Sequence, residues 1–282
     1  MKSLIVNADD VGFSDAINEA ARNCYLSGAI TGVSVLACGR RFQEACAMLH
    51  DLGKTEVGVH LTLTGNLPPC TEQRLEIRTL LRDKDLFVGN YWDLMSLYFR
   101  KKLKPEQIHL ELANQIRRVK GEGLKVTHLD SHEHIHMFPE VLKITRALAE
   151  EFDVPYIRLP LENGAVIRKQ FSLKDLLRHA GLKAFTLRSK GIFSGTQVKS
   201  NDFFMGHFHS GRIDDDILTF MMENLAEGVT ELAVHPAVMS RELLEESPWH
   251  RNAQKELDTL INGGWRARTR AGDIRLISHS QI

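Results

Sequence analysis

Apolar and polar positions alternate along the chain in two patterns. Short apolar runs rich in branched residues predict buried strands, and longer stretches with apolar residues three or four positions apart predict amphipathic helices. The strands are predicted at residues 4–8, 31–37, 56–63, 125–130, 156–159, 203–208, 231–234 and 274–277. The helices are predicted at about 15–27, 41–52, 105–121, 139–152, 172–188, 214–226 and 249–262. About seven repeats of strand and helix predict an α/β fold built as a parallel (β/α) barrel, closed or distorted.

The repeat is interrupted once, at residues 64–104. This stretch contains Pro68 and Pro69, a charged segment and the aromatic segment 91–99. We interpret it as an insertion over the barrel mouth. The full length of 282 residues is ordinary for one barrel, so we predict a single domain over residues 1–282.

Charge and composition narrow the function. Lys plus Arg equals Asp plus Glu, at 36 each, so the chain lacks the excess positive charge that draws proteins to nucleic acid or anionic membranes. The balanced charge fits a small neutral substrate. No apolar run is long enough for a signal peptide or a membrane span, which predicts a cytoplasmic protein. The four cysteines show no CxxC spacing and are expected to be reduced and mostly buried.

Chemically compatible side chains follow four of the predicted strands. The first strand ends at Asp9 and Asp10, the third carries His60, the fourth leads into residues 128–136, and a late strand ends at His235. Functional groups of a parallel barrel gather at the carboxyl ends of its strands. Carboxylates and imidazoles together accept zinc, manganese, iron or, less readily, magnesium.

Residues 128–136 contain four histidines. If His128 lies on the strand and His132 just past its end, His132 is the favoured metal ligand, and His128 and Asp130 suit supporting roles. Adjacent strand residues point in opposite directions, so Asp9 and Asp10 should divide the work. One carboxylate would bind an ion, and the other would accept a proton from water.

Four segments of the chain resemble the YdjC family of carbohydrate deacetylases, which includes chitooligosaccharide deacetylase. Their order along the chain is the family's order. The segments are 5–12 (Ile-Val-Asn-Ala-Asp-Asp-Val-Gly), 57–63 (Val-Gly-Val-His-Leu-Thr-Leu), 128–139 (His-Leu-Asp-Ser-His-Glu-His-Ile-His-Met-Phe-Pro) and 234–237 (Val-His-Pro-Ala).

The resemblance implies a deacetylase-type barrel that hydrolyses the N-acetyl group of a sugar with Mg²⁺, Zn²⁺ or another divalent ion. It implies that Asp10, His60 and His132 bind the metal, that Asp9 is the catalytic base, and that His235 is the general acid. Val11 stands where phenylalanine is commoner. Residues 64–104 and 161–212 differ from chitooligosaccharide deacetylase, so the identity of the sugar does not carry over.

Other interpretations of these residues stay open at this point. Asp9 and Asp10 could form a turn or cap a helix, and His235 followed by proline could simply make a turn. Arg158 could orient a catalytic carboxylate or form an ion pair elsewhere, and we leave it outside the core set. The alternative functions are a metal-dependent phosphoesterase and a non-catalytic module that binds metal or sugar. A homodimer is one open assembly state.

Overall fold

The computed structural model describes residues 1–83, 85–162, 180, 190–193, 195–270 and 272–282. Seven strands of this described part form one sheet in which all neighbours pair in parallel. They are β1 (Lys2–Val11), β2 (Gly32–Val35), β3 (Glu56–Leu61), β4 (Lys125–Ser131), β5 (Phe203–Met205), β6 (Gly228–Val234) and β7 (Ile274–Leu276). The order is β4-β3-β2-β1-β6-β5, and β7 also pairs with β1. The predicted parallel α/β fold is confirmed.

Residues 156–162 lie between the two edge strands, β4 and β5. Single parallel bridges join Leu129 to Ile157 and Glu162 to Phe204, so the barrel is distorted on this side. The prediction of a regular strand at 156–159 is therefore wrong. Pro155 and Pro160 flank this stretch, and proline lacks the N–H that a continuous ladder requires.

β5 is shorter than predicted because of the glycine that follows it. Gly206 has a φ of +110°, and a Cβ atom at this position would lie 2.3 Å from the Ala233 carbonyl oxygen. The close approach of these backbones ends the strand at Met205.

Helices occupy most of the connections between strands. They are α1 (Asp15–Leu26), α2 (Phe42–Asp51), α3 (Tyr91–Phe99), α4 (Pro105–Gly121), α5 (Pro139–Glu151), α6 (Asp215–Glu223), α7 (Arg241–Glu246), α8 (Ala253–Asn262) and α9 (Arg266–Arg270). Ser14 caps α1 and Asp214 caps α6 through their side chains, as such residues commonly do. α3, α7 and α9 were not predicted. The helix predicted at 172–188 lies outside the described residues, apart from residue 180.

The last predicted helix begins later than its pattern indicated. Residues Pro248–Asn252 form a 3₁₀ turn, and α8 starts at Ala253. None of the helices in the described part is long and apolar enough to cross a membrane. The sheet is buried on both faces, yet its interior contains charged side chains, among them Asp130, Arg158 and Glu231, that are fully buried. These side chains support the site described next.

Candidate functional site

All five predicted site residues line one cavity at the carboxyl ends of the strands. Its volume is about 350 Å³. The residues are Asp9, Asp10, His60, His132 and His235. They come from β1, β3, the residue after β4 and the residue after β6.

Asp10 adopts an unusual backbone conformation. Its φ is +62°, in the left-handed region, and the pairing of β1 with β2 shifts register between Ala8 and Val11. Such a conformation costs about 1–3 kcal/mol in a non-glycine residue, and strained residues of this kind cluster at functional sites. Asp9 and Asp10 both line the cavity, although adjacent residues of a regular strand would point in opposite directions, and they have different partners.

The Asp10 side chain lies between two imidazoles. Its Oδ1 is 2.8 Å from Nδ1 of His132 and 3.3 Å from Nε2 of His60. The donor atoms of these three residues all lie within 4.8 Å of one another. One carboxylate and two imidazoles at this spacing suit a single divalent cation.

The electrostatics of the three residues are strongly coupled. Burial alone would raise the pKa of Asp10, but His132 and His60 outweigh it and hold this pKa well below its usual range. Burial lowers the pKa of each histidine, but the neighbouring carboxylates outweigh it. The pKa of His60 is raised well above its ordinary value, chiefly by Asp130 and Asp9, and that of His132 is raised by Asp10. A cation bound here would take over the stabilising role of these protons.

Asp130 orients the His60 ring. His60 Nδ1 lies 2.9 Å from Asp130 Oδ1, which directs Nε2 towards Asp10. The other oxygen, Oδ2, accepts a hydrogen bond from Ser34 Oγ at 2.8 Å and forms an ion pair with Arg158 Nη2 at 2.7 Å. A carboxylate on the second nitrogen of a metal-binding histidine is a common arrangement.

His128 is one step removed from this cluster. Its Nε2 is 3.0 Å from Ser34 Oγ, and its ring stacks on His279 with centroids 3.4 Å apart. His136 is also buried, held by the Ser131 hydroxyl and the Arg158 carbonyl. Of the four histidines in residues 128–136, His132 alone belongs to the group around Asp10.

A buried arginine clamps the second carboxylate of the site. Arg158 donates to Asp9 through Nη1 at 2.7 Å and Nη2 at 2.8 Å, and its Nε donates to Glu231 at 2.7 Å. Asn7 donates a further hydrogen bond to Asp9 at 2.8 Å. Burial would lower the pKa of Arg158, but the carboxylates of Asp130, Asp9 and Glu231 raise it well above its usual value. Sequence reasoning left Arg158 outside the core set, although a charged residue within the apolar run 156–159 was a signal.

This arginine also decides between two possible ion sites. Ligand atoms of Asp9, His60 and Asp130 also lie within 4.8 Å of one another, as those around Asp10 do. Arg158 contacts both Asp9 and Asp130, so a cation there would face a fixed positive charge. The group that includes Asp10 is therefore the better cation site.

His235 lies beside Asp9. Its Nε2 is 3.8 Å from Asp9 Oδ2, and its ring meets the Trp249 ring edge-on with centroids 5.0 Å apart. Burial lowers the pKa of His235, and Asp9 offsets this only in part. The His235 backbone N–H donates to Glu256 Oε1 at 2.7 Å, and burial raises the pKa of Glu256 to about 8.

A second cavity of about 360 Å³ adjoins the first. Trp249, which is 42% exposed, lines both cavities. Arg212 and Arg251 line only the second cavity and give it positive charge. Two arginines outside the predicted site therefore lie close to the first cavity.

Comparisons with known proteins identify a family and several similar chains. A family model described as YdjC-like protein matches residues 3–271. A carbohydrate deacetylase of Brevibacillus brevis is 27% identical over 280 residues, which is 99% of both chains. A carbohydrate deacetylase of Thermoanaerobacter pseudethanolicus is 25% identical over 261 residues, 93% of this chain and 90% of the relative.

A crystal structure from Enterococcus faecalis V583, described as a cellobiose-phosphate cleavage protein, has a similar fold. Its TM-score is 0.79 at 23% identity, and the match covers 99% of this chain and 98% of the other.

Proposed function

The chain belongs to the YdjC-like protein family, and from this premise we propose that it is a metal-dependent carbohydrate deacetylase. The reaction would hydrolyse the N-acetyl group of an amino sugar or oligosaccharide and release acetate. One observation carries the proposal. A three-residue cation site and a carboxylate clamped by arginine share one cavity with a histidine. Relatives that match nearly the whole chain are named carbohydrate deacetylases, which supports the same chemistry.

Asp10, His60 and His132 are the residues that would hold the ion. When bound there, a divalent cation polarises the acetyl carbonyl and makes a water molecule more acidic. The family resemblance implies Mg²⁺, but two imidazole nitrogens and one carboxylate are a set that Zn²⁺ accepts more readily. Both ions therefore belong in the test.

Asp9 is the proposed proton acceptor for the attacking water. Arg158 and Asn7 fix its orientation through hydrogen bonds from three nitrogen atoms. Arg158 is fully buried and holds the Asp9 carboxylate in place, and Asp9 still lines the cavity. An oriented base of this kind typically contributes a factor of about 10²–10⁴ in rate.

His235 is the proposed donor to the leaving amine. Since its pKa is lowered, it is neutral at rest and must first receive a proton. Asp9 Oδ2 is only 3.8 Å from His235 Nε2. The water proton would pass to Asp9, then to His235, and finally to the sugar nitrogen as the C–N bond breaks.

The two alternative functions, a metal-dependent phosphoesterase and a non-catalytic module that binds metal or sugar, fit the site less well. A two-ion phosphoesterase needs a second cation site, and in the described residues the candidate group that shares His60 with the first is blocked by Arg158. Arg212 and Arg251 are the feature that favours phosphate in the substrate. A protein that only binds metal or sugar would not need the arrangement of Asp9, Arg158 and His235.

The test is acetate release from a panel of N-acetylated sugars, with phosphate esters as controls. The protein is stripped with a chelator and reloaded with Mg²⁺, Mn²⁺ or Zn²⁺. We expect one ion per chain, acetate but no phosphate, and loss of activity and metal in His60→Ala. His109→Ala, which changes a half-buried histidine on α4 that does not line the cavity, is the matched control and should retain both. Phosphate release without acetate would overturn the proposal.

A further inference from the structure

Two cysteines lie in contact outside the catalytic cavity. Cys38 Sγ is 3.4 Å from Cys70 Sγ, although the residues are 32 positions apart. A disulfide has an S–S length of about 2.05 Å, so the two sulfur atoms need to approach by about 1.4 Å. We propose that mild oxidation links Cys38 and Cys70 in an intramolecular disulfide.

Both cysteines lie in irregular segments that can adjust to form this bond. Cys38 is in the turn after β2, and Cys70 lies just before the 3₁₀ segment Arg74–Leu80. Cys70 is half-buried and Cys38 is buried. A small oxidant can therefore react first with Cys70. Cys38, which is in contact with Cys70, is then the resolving thiol.

Glu111 supplies the acceptor that the resolving step needs. The Cys38 thiol donates to Glu111 Oε1 at 3.7 Å. The carboxylate is held by the backbone N–H groups of Cys70 and Thr71, each at 2.9 Å, and by the Gln115 amide at 2.9 Å. These contacts also occupy much of its capacity as a ligand, which argues against a metal ion between the two sulfur atoms.

Oxidised glutathione is a sufficient oxidant for this reaction. The Cys70 thiolate attacks one glutathione sulfur, the glutathione S–S bond breaks, and a first glutathione thiol is released. Cys38 passes its proton to Glu111, attacks the Cys70 sulfur and displaces the second glutathione, which takes up that proton. Two protein thiols and one small disulfide thus become one protein disulfide and two small thiols.

The cross-link would join a segment that lines the catalytic cavity near Gly65 to the turn that packs against Gly12. Gly39, next to Cys38, packs against Gly12, where a Cβ atom at Gly39 would lie 2.1 Å from the Gly12 carbonyl oxygen. Gly65 and Asn66, shortly before Cys70, line the cavity. Closing this loop removes freedom from the unfolded chain, which raises the melting temperature.

The experiment uses the full chain, reduced and then incubated with oxidised glutathione. Free thiols are blocked, and peptides are mapped by mass spectrometry without reduction. We expect a Cys38–Cys70 peptide and a rise in Tm of roughly 5 °C that dithiothreitol reverses. Cys24→Ala and Cys46→Ala should behave like the parent, because both residues are buried and neither takes part in the Cys38–Cys70 contact.

Cys70→Ser should lose both the cross-link and the Tm rise, and Cys38→Ser should accumulate a glutathione adduct on Cys70. A stable glutathione adduct on Cys70 in the parent protein would overturn the proposal, as would a cross-link without a rise in Tm. Zinc retained by the reduced parent but lost in Cys70→Ser would show a metal site instead. None of these readouts depends on the proposed deacetylase activity.

Discussion

Asp9→Asn separates the proposed base from the proposed metal ligands. The change keeps the size of the side chain but removes the negative charge that accepts a proton. Asparagine can still accept one hydrogen bond from Arg158, whereas Asp9 accepts two, at 2.7 and 2.8 Å. Arg158 keeps its contacts to Asp130 and Glu231, so the fold should survive a cost of about 1–3 kcal/mol.

The expected kinetic effect is much larger than this structural effect. Removing an oriented general base costs a factor of about 10²–10⁴, and a thousandfold loss corresponds to about 4 kcal/mol of barrier. Metal content should stay near one ion per chain, because Asp9 is not among the three residues around Asp10. The apparent substrate affinity should change little.

The assay combines turnover on an N-acetylated sugar with metal analysis of the same preparation. Asp258→Asn, an exposed aspartate on α8, controls for the amide substitution itself. His60→Ala provides the opposite case, in which metal and activity are lost together. If Asp9→Asn and His60→Ala lose metal to the same extent, or if Asp9→Asn keeps its turnover, the division between base and ligand is wrong.

Three further predictions follow from the site. His235→Ala should lose about a hundredfold in turnover on an amide but little on an activated ester that leaves without a proton; equal losses would refute the donor role. Metal binding should release protons and weaken as the pH falls, since the pKa values of His60 and His132 are raised. Calorimetry in buffers of different ionisation enthalpy measures the number of protons released, and no release would contradict the prediction. The pKa of Glu256 is raised to about 8. Its contribution to stability is therefore complete below about pH 4.5 and is lost as the pH rises through 8. The free energy of unfolding of Glu256→Gln, measured with denaturant, should therefore fall less steeply with pH over this range. An unchanged slope would refute this assignment.

The strand ends were the part of the site that the sequence revealed. The strand pattern predicted that the acids and histidines at these ends would meet, because parallel strands bring their carboxyl ends to one edge. The choice of Asp10 rather than Asp9 as the metal ligand came from the family resemblance. The Arg158 clamp could not be derived in this way, since its partner Asp9 is 149 positions away and many pairings were open. The left-handed φ of Asp10 likewise depends on its tertiary contacts.

Among the helices, too, only those with a clear local pattern could be predicted from the sequence. α4 has regularly spaced apolar residues and begins with proline, so its pattern predicted it. α3 is nearly apolar throughout, with the sequence Tyr-Trp-Asp-Leu-Met-Ser-Leu-Tyr-Phe, and shows no polar face that would indicate a helix. Its start is set by Asn90, whose side chain accepts hydrogen bonds from two backbone N–H groups.

Acetate release is the most direct test of the proposed deacetylase. The parent protein is assayed on a panel of N-acetylated sugars before chelation, after chelation and after a divalent ion is added back, and both acetate and free amine are measured. We predict equal amounts of acetate and amine, loss of both on chelation and recovery of both on reloading. Amine and acetate formed equally well in the stripped protein, or neither formed with any divalent ion on any N-acetylated sugar, would contradict the account.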